Sequence, residues 1–252
     1  MIGFERAGAV AVATLARAPV NAIDEDWIAR LHEVIHEAEH DPAVSVLRIR
    51  SSERAFSAGA DLALMRSRYE TAQGRSRMIE FVREMQRAYA RLERSRLVSI
   101  AEIGGAAMGG GLELALACDL RIASEAAKLG LPEARLGLIP GAGGTQRLTL
   151  VCGEAVAKRL ILGGEVIDGV EAARLGIVQW AVPADALQSE AVQLAARVAA
   201  LPAAALAACK RCIGAAGKPD HDGYGMELAA TEDLLTSQET QSLVRAFLEG
   251  NR

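Results

Sequence analysis

The spacing of apolar residues changes period several times along the chain, and the changes mark its elements. Val10, Val12 and Thr14 alternate with small residues, a period of two that predicts a strand. Over Glu25–His40 the period lengthens: Trp27, Ile28, Leu31, Val34, Ile35 and Ala38 fall on one stripe of a helix, with Asp24 as its N-cap and Asp41-Pro42 as its stop. Residues 44–50 form a second strand, which runs into a turn of small residues and a helix start near Leu62. Residues 66–76 are polar and irregular and predict a mobile, lid-like segment. Residues 78–94 return to helical spacing through Ile79, Val82, Met85, Tyr89 and Leu92.

Further strands are expected over residues 97–103, 119–124 and 178–182, with helices over 153–162 and 168–175. Beyond residue 184 the pattern is helical throughout, over 184–200, 203–216 and about 224–248. Strand–helix alternation followed by a helical tail predicts an α/β core with a helical C-terminal region. No sequence period betrays an internal repeat.

Composition narrows the function classes. With 252 residues, half of them hydrophobic (51%), the chain can bury a large core. A net charge of −4 without a basic block argues against nucleic acid as the partner. No apolar run approaches the length of a membrane span, and the first residues lack the apolar centre of a signal peptide, so the expectation is cytoplasmic. Cys118, Cys152, Cys209 and Cys212 do not make a disulfide framework, and Cys209-x-x-Cys212 has no second pair at zinc-ribbon spacing.

Two candidate metal or nucleotide motifs fail on inspection. His32-Glu33-Val34-Ile35-His36 matches the H-E-x-x-H zinc pattern, but its histidines fall on the solvent side of their helix and no third histidine follows at the extended spacing. The loop from Gly137 to Thr145 is glycine-rich, yet it lacks the Gly-Lys-Ser/Thr of a phosphate loop and the last glycine of a dinucleotide fingerprint. No metal ligand set is therefore expected.

The chemistry concentrates in residues 101–119. A strand leads into Gly109, Gly110 and Gly111, which open an apolar helix carrying one acid, Glu113. Glycines let a backbone approach a ligand, and the first turn of a helix carries N–H groups without internal partners. The turn from Ala58 to Asp61 offers backbone N–H groups in the same way, at the end of another strand. Glu113 and Glu133 both stand in apolar surroundings, where an ionised carboxylate is costly unless paired or catalytic. Taken singly, each feature is more often explained by close packing or by an arginine partner. Together, two donors and two carboxyls suit a reaction that forms an enolate: the donors hold the oxyanion and the carboxyls move protons.

These residues carry a resemblance. Ala55-Phe56-Ser57-Ala58-Gly59-Ala60-Asp61-Leu62, the run from Gly104 to Asp119, and Pro132-Glu133 with residues 136–148 resemble, in order, three signatures of the enoyl-CoA hydratase/isomerase (crotonase) superfamily. Residues 172–178 fit as well, so the likeness covers nearly the whole chain. It implies a spiral of repeated ββα units over residues 1–195 and a helical region over 196–252 that drives assembly into trimers or dimers of trimers. The implied substrate is an acyl-CoA thioester, with coenzyme A as part of the substrate and no separate cofactor. The implied oxyanion donors are the N–H groups of Ala60 and Gly110. Glu113 and Glu133 match the catalytic pair of the hydratases, with Glu133 protonating the α-carbon and Glu113 activating water. Ala58, Asp61, Leu62, Gly109 and Gly141 are implied to border the substrate.

The presence of both acids favours hydration over the alternatives within the same superfamily, a double-bond isomerase or lyase, and over a non-catalytic CoA- or RNA-binding relative. The chain also departs from the pattern. Ala63-Leu64-Met65 stands where the family often has a lysine for the CoA phosphates, leaving Arg66 or Arg68 as substitutes, and Lys210 is a phosphate contact or an ordinary surface lysine.

Overall fold

The computed structural model describes residues 1–250 and shows two sheets wrapped by helices. In chain order the elements begin with β1 (Ile2–Ala7), β2 (Val10–Leu15), α1 (Glu25–His40), β3 (Val46–Ser51), β4 (Ala55–Ser57), α2 (Leu62–Arg68) and α3 (Ala72–Arg94). Next come β5 (Val98–Ile103), β6 (Ala106–Met108), α4 (Gly110–Ala117), β7 (Leu120–Ser124), β8 (Lys128–Gly130), a 3₁₀ turn (Pro132–Leu136) and α5 (Gly144–Leu162). The chain then runs through β9 (Val166–Asp168), α6 (Gly169–Arg174), β10 (Trp180–Val182), α7 (Leu187–Ala199), α8 (Ala203–Ala215), α9 (Gly223–Thr236) and α10 (Gln238–Leu248).

The larger sheet has the order β1-β2-β3-β5-β7-β10, parallel except for the β1–β2 hairpin; the smaller is β4-β6-β8-β9. Each repeat sends its first strand to the large sheet and its second to the small one, then adds a helix: β3-β4-α2, β5-β6-α4, and β7-β8 before α5. This is the ββα spiral. Strands of three residues carry too little period to be read from sequence, which is why β4, β6, β8 and β9 were not expected individually.

The main core lies between the sheets and α1, α3, α4 and α5, with Trp27, Tyr89, Phe56 and Leu31 among its fully buried side chains. A second apolar layer forms where Leu187, Ala191 and Leu194 of α7 cover Val46, Ile100 and Ile122 on the other face of the large sheet. Residue 195, the expected boundary, falls within α7. Among the described residues no single helix is long and apolar enough to cross a membrane.

Two expectations are corrected. Residues 66–76 are not an irregular lid: α2 runs to Arg68, and α3 starts at Ala72, its first turn capped by the Thr71 hydroxyl that accepts from Gly74 N–H. The long terminal helix is two, since Ser237 ends α9 and caps α10 by accepting from Thr240 N–H.

Candidate active site

The site forms where the turn after β4 meets the N-terminus of α4. Ile23 N–H donates to Gly59 O (2.9 Å), and Asp61 N–H donates to Ile23 O (2.8 Å). A trans peptide points its C=O and N–H in opposite directions. Fixing Gly59 C=O toward Ile23 therefore turns the Ala60 N–H the other way, toward α4. There, Gly109 O accepts from Glu113 N–H at 2.9 Å, which aims the N–H of Gly110 out of the helix end. Among the described residues neither N–H has a backbone partner. The two lie close: a Cβ on Gly110 would sit 3.8 Å from the Ala60 nitrogen, and one on Gly59 would sit 3.2 Å from the Gly110 nitrogen. Two aligned donors at a helix N-terminus are suited to an oxygen gaining negative charge.

Two glycines here are required by geometry. Gly109 has φ +50, and a Cβ on it would lie 2.8 Å from Glu133 Oε1. Gly111 presses on the β4 backbone, where a Cβ would be 2.5 Å from Ser57 O. The close approach of α4 to the small sheet thus depends on the absence of side chains.

All eight residues of α4 are buried, so Glu113, at 2% exposure, has no face to solvent. Its Oε1 accepts from Gly144 N–H at 2.7 Å, and the nearby Ala142 N–H also favours the charged carboxylate. Burial pushes its pKa up, the Glu133 carboxyl pushes in the same direction, and the two N–H groups and Arg147 pull back; the balance stands at about 7. Glu133, in the 3₁₀ turn, is also raised, mainly by burial, and its Oε2 is buried without a hydrogen-bond partner. The two acids thus differ: Glu113 Oε1 is held by a backbone donor, and Glu133 Oε2 has none.

The remaining expected residues fall as follows. Ala58 N–H is used by Val20 O (2.9 Å) and Asp61 N–H by Ile23 O, so of that turn only Ala60 presents a free N–H among these three. The Asp61 carboxylate caps α2, accepting from Ala63 and Leu64, and pairs with Arg17. Leu62, 69% exposed, opens α2 at the rim. Gly141 O accepts from Gln86 of α3 at 2.6 Å, and a Cβ on Gly141 would press on Val82. Arg68 is committed to Glu25 and to Arg77 O. Lys210 is neither a phosphate contact nor a surface lysine: its ammonium donates to Leu92 O, Leu97 O and Asp119 Oδ2 at 3.0, 2.7 and 2.7 Å, which uses all three protons.

Several contributors were not singled out from sequence. Asn21, fully buried at φ +50, donates from Nδ2 to Ser51 Oγ and to Ala55 and Phe56 O, and its own carbonyl accepts from Ser57 Oγ. It ties the turn at residues 17–23 to β4. Tyr89 donates to Gly110 O at 2.9 Å. Their signals, a polar residue after a proline turn and a hydroxyl inside an apolar stripe, are too common to single out a site.

The histidines of the H-E-x-x-H match lie along α1, toward α3 and solvent. His32 Nε2 is 3.8 Å from Glu84, and the His36 and His40 rings stack 3.8 Å apart. Among the described residues no group of three His, Cys, Asp or Glu side chains could hold a metal ion.

Comparison with known proteins agrees with this architecture. The family model described as enoyl-CoA hydratase/isomerase matches residues 5–252. The short-chain-enoyl-CoA hydratase of Clostridium acetobutylicum is 34% identical over 249 residues, covering 98% of this chain and 94% of its own. DspI of Pseudomonas aeruginosa superposes with a TM-score of 0.92 at 38% identity, covering 99% of this chain and 94% of that one. The enoyl-CoA hydratase of Bacillus anthracis does so with a TM-score of 0.91 at 32% identity, over 99% and 96%.

Proposed function

The chain belongs to the enoyl-CoA hydratase/isomerase family, and we propose that within it the protein is an enoyl-CoA hydratase, adding water across the 2,3-double bond of an enoyl-CoA thioester to give the 3-hydroxyacyl-CoA. One observation carries this reading: two free N–H groups converge beside one buried and one half-buried carboxyl of different hydrogen-bonding character. Coenzyme A belongs to the substrate, and the chemistry needs no further group.

The thioester oxygen accepts from the Ala60 and Gly110 N–H groups, which draws electron density from the double bond and makes C3 electrophilic. Glu113, its Oε1 already held by Gly144 N–H, takes a proton from water as the water oxygen bonds to C3. The electron pair of the double bond moves onto the thioester oxygen as an enolate. Glu133, whose Oε2 has no partner, gives its proton to C2 as the enolate collapses. The product has gained OH at C3 and H at C2. Glu113 ends protonated and Glu133 ionised, and exchange with solvent after product release resets them. A Glu113 pKa of about 7 suits this role, since a base poised near the working pH balances availability against strength.

The direct test follows loss of the conjugated thioester absorbance of crotonyl-CoA, with the product identified by mass and chromatography. Glu113→Gln and Glu133→Gln are each expected to slow the wild-type rate by about 10²–10⁴-fold. Formation of a shifted double bond without 3-hydroxyacyl-CoA, or a Glu133→Gln variant as fast as wild type, rejects the assignment. Assembly as a trimer or dimer of trimers is part of the proposal. Helices α9 and α10 have no buried residues and expose Tyr224, Leu228, Leu235, Phe247 and Leu248, a large apolar surface for a lone chain. Light scattering that reads a monomer at working concentration rejects it.

A further inference from the structure

We propose that Arg147, anchored by Glu93, is a positioning residue: it fixes the loop whose Gly144 N–H holds Glu113, and so keeps that carboxyl aimed and able to take a proton. The proposal rests on the reading of Glu113 as the base.

Arg147 stands at the start of α5, just after the glycine loop. Its Nε and Nη2 donate to the two Glu93 oxygens at 2.8 Å each, a forked bond to the last turn of α3. The remaining Nη1 donates to Ala142 O at 2.7 Å. Gly144, two residues on, supplies the N–H that holds Glu113 Oε1, so the guanidinium pins the loop immediately before the residue that grips the carboxyl. The loop is shaped around it: Gly143 has φ +108, and a Cβ there would lie 2.1 Å from Nη1. The Arg147 side chain is only 11% exposed, while its Glu93 anchor, 42% exposed, lies at the surface end of the pair.

The groups facing Glu113 come from each packed element. Glu133 of the 3₁₀ turn opposes its ionisation, and the Ala142 and Gly144 N–H groups favour it. Tyr89 of α3 contributes a neutral hydroxyl committed to Gly110 O. Arg147 of α5 is the cation that favours the carboxylate. It therefore acts twice, through the loop and through its charge. An arginine that merely joined α3 to α5 would stabilise the fold without changing how Glu113 titrates.

The experiment reads both effects in the full-length protein. The Glu113 carboxyl is followed by ¹³C NMR, assigned by its loss in Glu113→Gln, alongside the pH profile of crotonyl-CoA hydration. In Arg147→Met the titration midpoint is expected to move up from about 7. At neutral pH kcat is expected to fall by about tenfold or more with KM within about twofold, the signature of a misplaced proton acceptor. Arg147→Lys keeps the charge and is expected to hold the midpoint near wild type with a reduced kcat. Glu93→Gln, which loosens the anchor from outside the site, is expected to lower kcat with a smaller movement of the midpoint. A folded Arg147→Met with the wild-type midpoint and kcat overturns the proposal. Should Arg147→Met fail to fold, a wild-type midpoint and pH profile in Glu93→Gln overturn it instead. If the wild-type protein hydrates no enoyl-CoA, the functional reading fails, while the NMR titration still decides whether Arg147 sets the state of Glu113.

Discussion

Replacing Glu113 by Gln is expected to slow turnover sharply and to make the folded protein more stable above neutral pH. The carboxyl is 2% exposed, and its pKa is raised from 4.5 to about 7, chiefly by burial. In the unfolded chain it returns to the ordinary value. Between pH 4.5 and 7 the folded protein keeps a proton that the unfolded chain has released. The unfolded state then binds fewer protons, so stability falls as pH rises. The contribution is whole below about pH 4.5 and is lost as pH rises through about 7. The difference of about 2.5 between the two values, at about 1.4 kcal/mol each, amounts to about 3 kcal/mol. Glutamine is neutral throughout and keeps an oxygen to accept from Gly144 N–H, so it escapes this loss. Urea unfolding of both proteins at pH 4.5 and pH 8.5, at one protein concentration, measures the effect. The stability gain from Glu113→Gln is expected to be small at the lower pH and to grow by up to about 3 kcal/mol at the higher. A gain that is the same at both pH values, or a variant less stable than wild type at pH 8.5, refutes the assignment of a costly buried carboxylate.

Three other outcomes follow from the packing. Gly111→Ala drives a methyl to 2.5 Å from the Ser57 carbonyl, a backbone atom that cannot step aside, and is expected to cost about 1–3 kcal/mol in urea unfolding. Gly109→Ala places a methyl 2.8 Å from Glu133 Oε1 at a positive φ, so kcat for crotonyl-CoA is expected to fall about 10²-fold through displacement of that carboxyl. Lys210→Met takes the Lys donor from two backbone carbonyls and the counter-charge from Asp119, which keeps only its Ser99 donors, and is expected to destabilise by about 1–3 kcal/mol, read as a lower urea midpoint with crotonyl-CoA kinetics unchanged in the folded protein.

Local order was largely legible in the sequence. The α1 stripe and its Asp24 cap depend on residues within one helix, so spacing alone revealed them, and Asp24 does accept from Trp27 N–H. The same reasoning fails over residues 66–76, where polarity predicts an irregular, lid-like segment and the structure has the end of α2 and the start of α3. The helices there carry their polar faces to solvent, and Thr71 caps the second of them. The two sheets were illegible because successive strands of a repeat go to different sheets, which is a property of topology rather than of spacing.

At the site, the sequence by itself determined the chemical inventory: glycines at 109–111 to open a helix, a turn of small residues at 58–61, and two acids in apolar surroundings. Only the tertiary structure decided which of these groups are free to act. Whether Ala58, Ala60 or Asp61 offers an N–H depends on bonds to Val20 and Ile23, some forty residues earlier, which consume two of the three. How each acid is held depends on partners remote in sequence: Gly144 N–H claims one oxygen of Glu113, while Glu133 Oε2 is left buried without a donor. A backbone donor is generic in sequence, since nearly every residue carries one. It becomes specific only when folding satisfies its neighbours and leaves it unpaired.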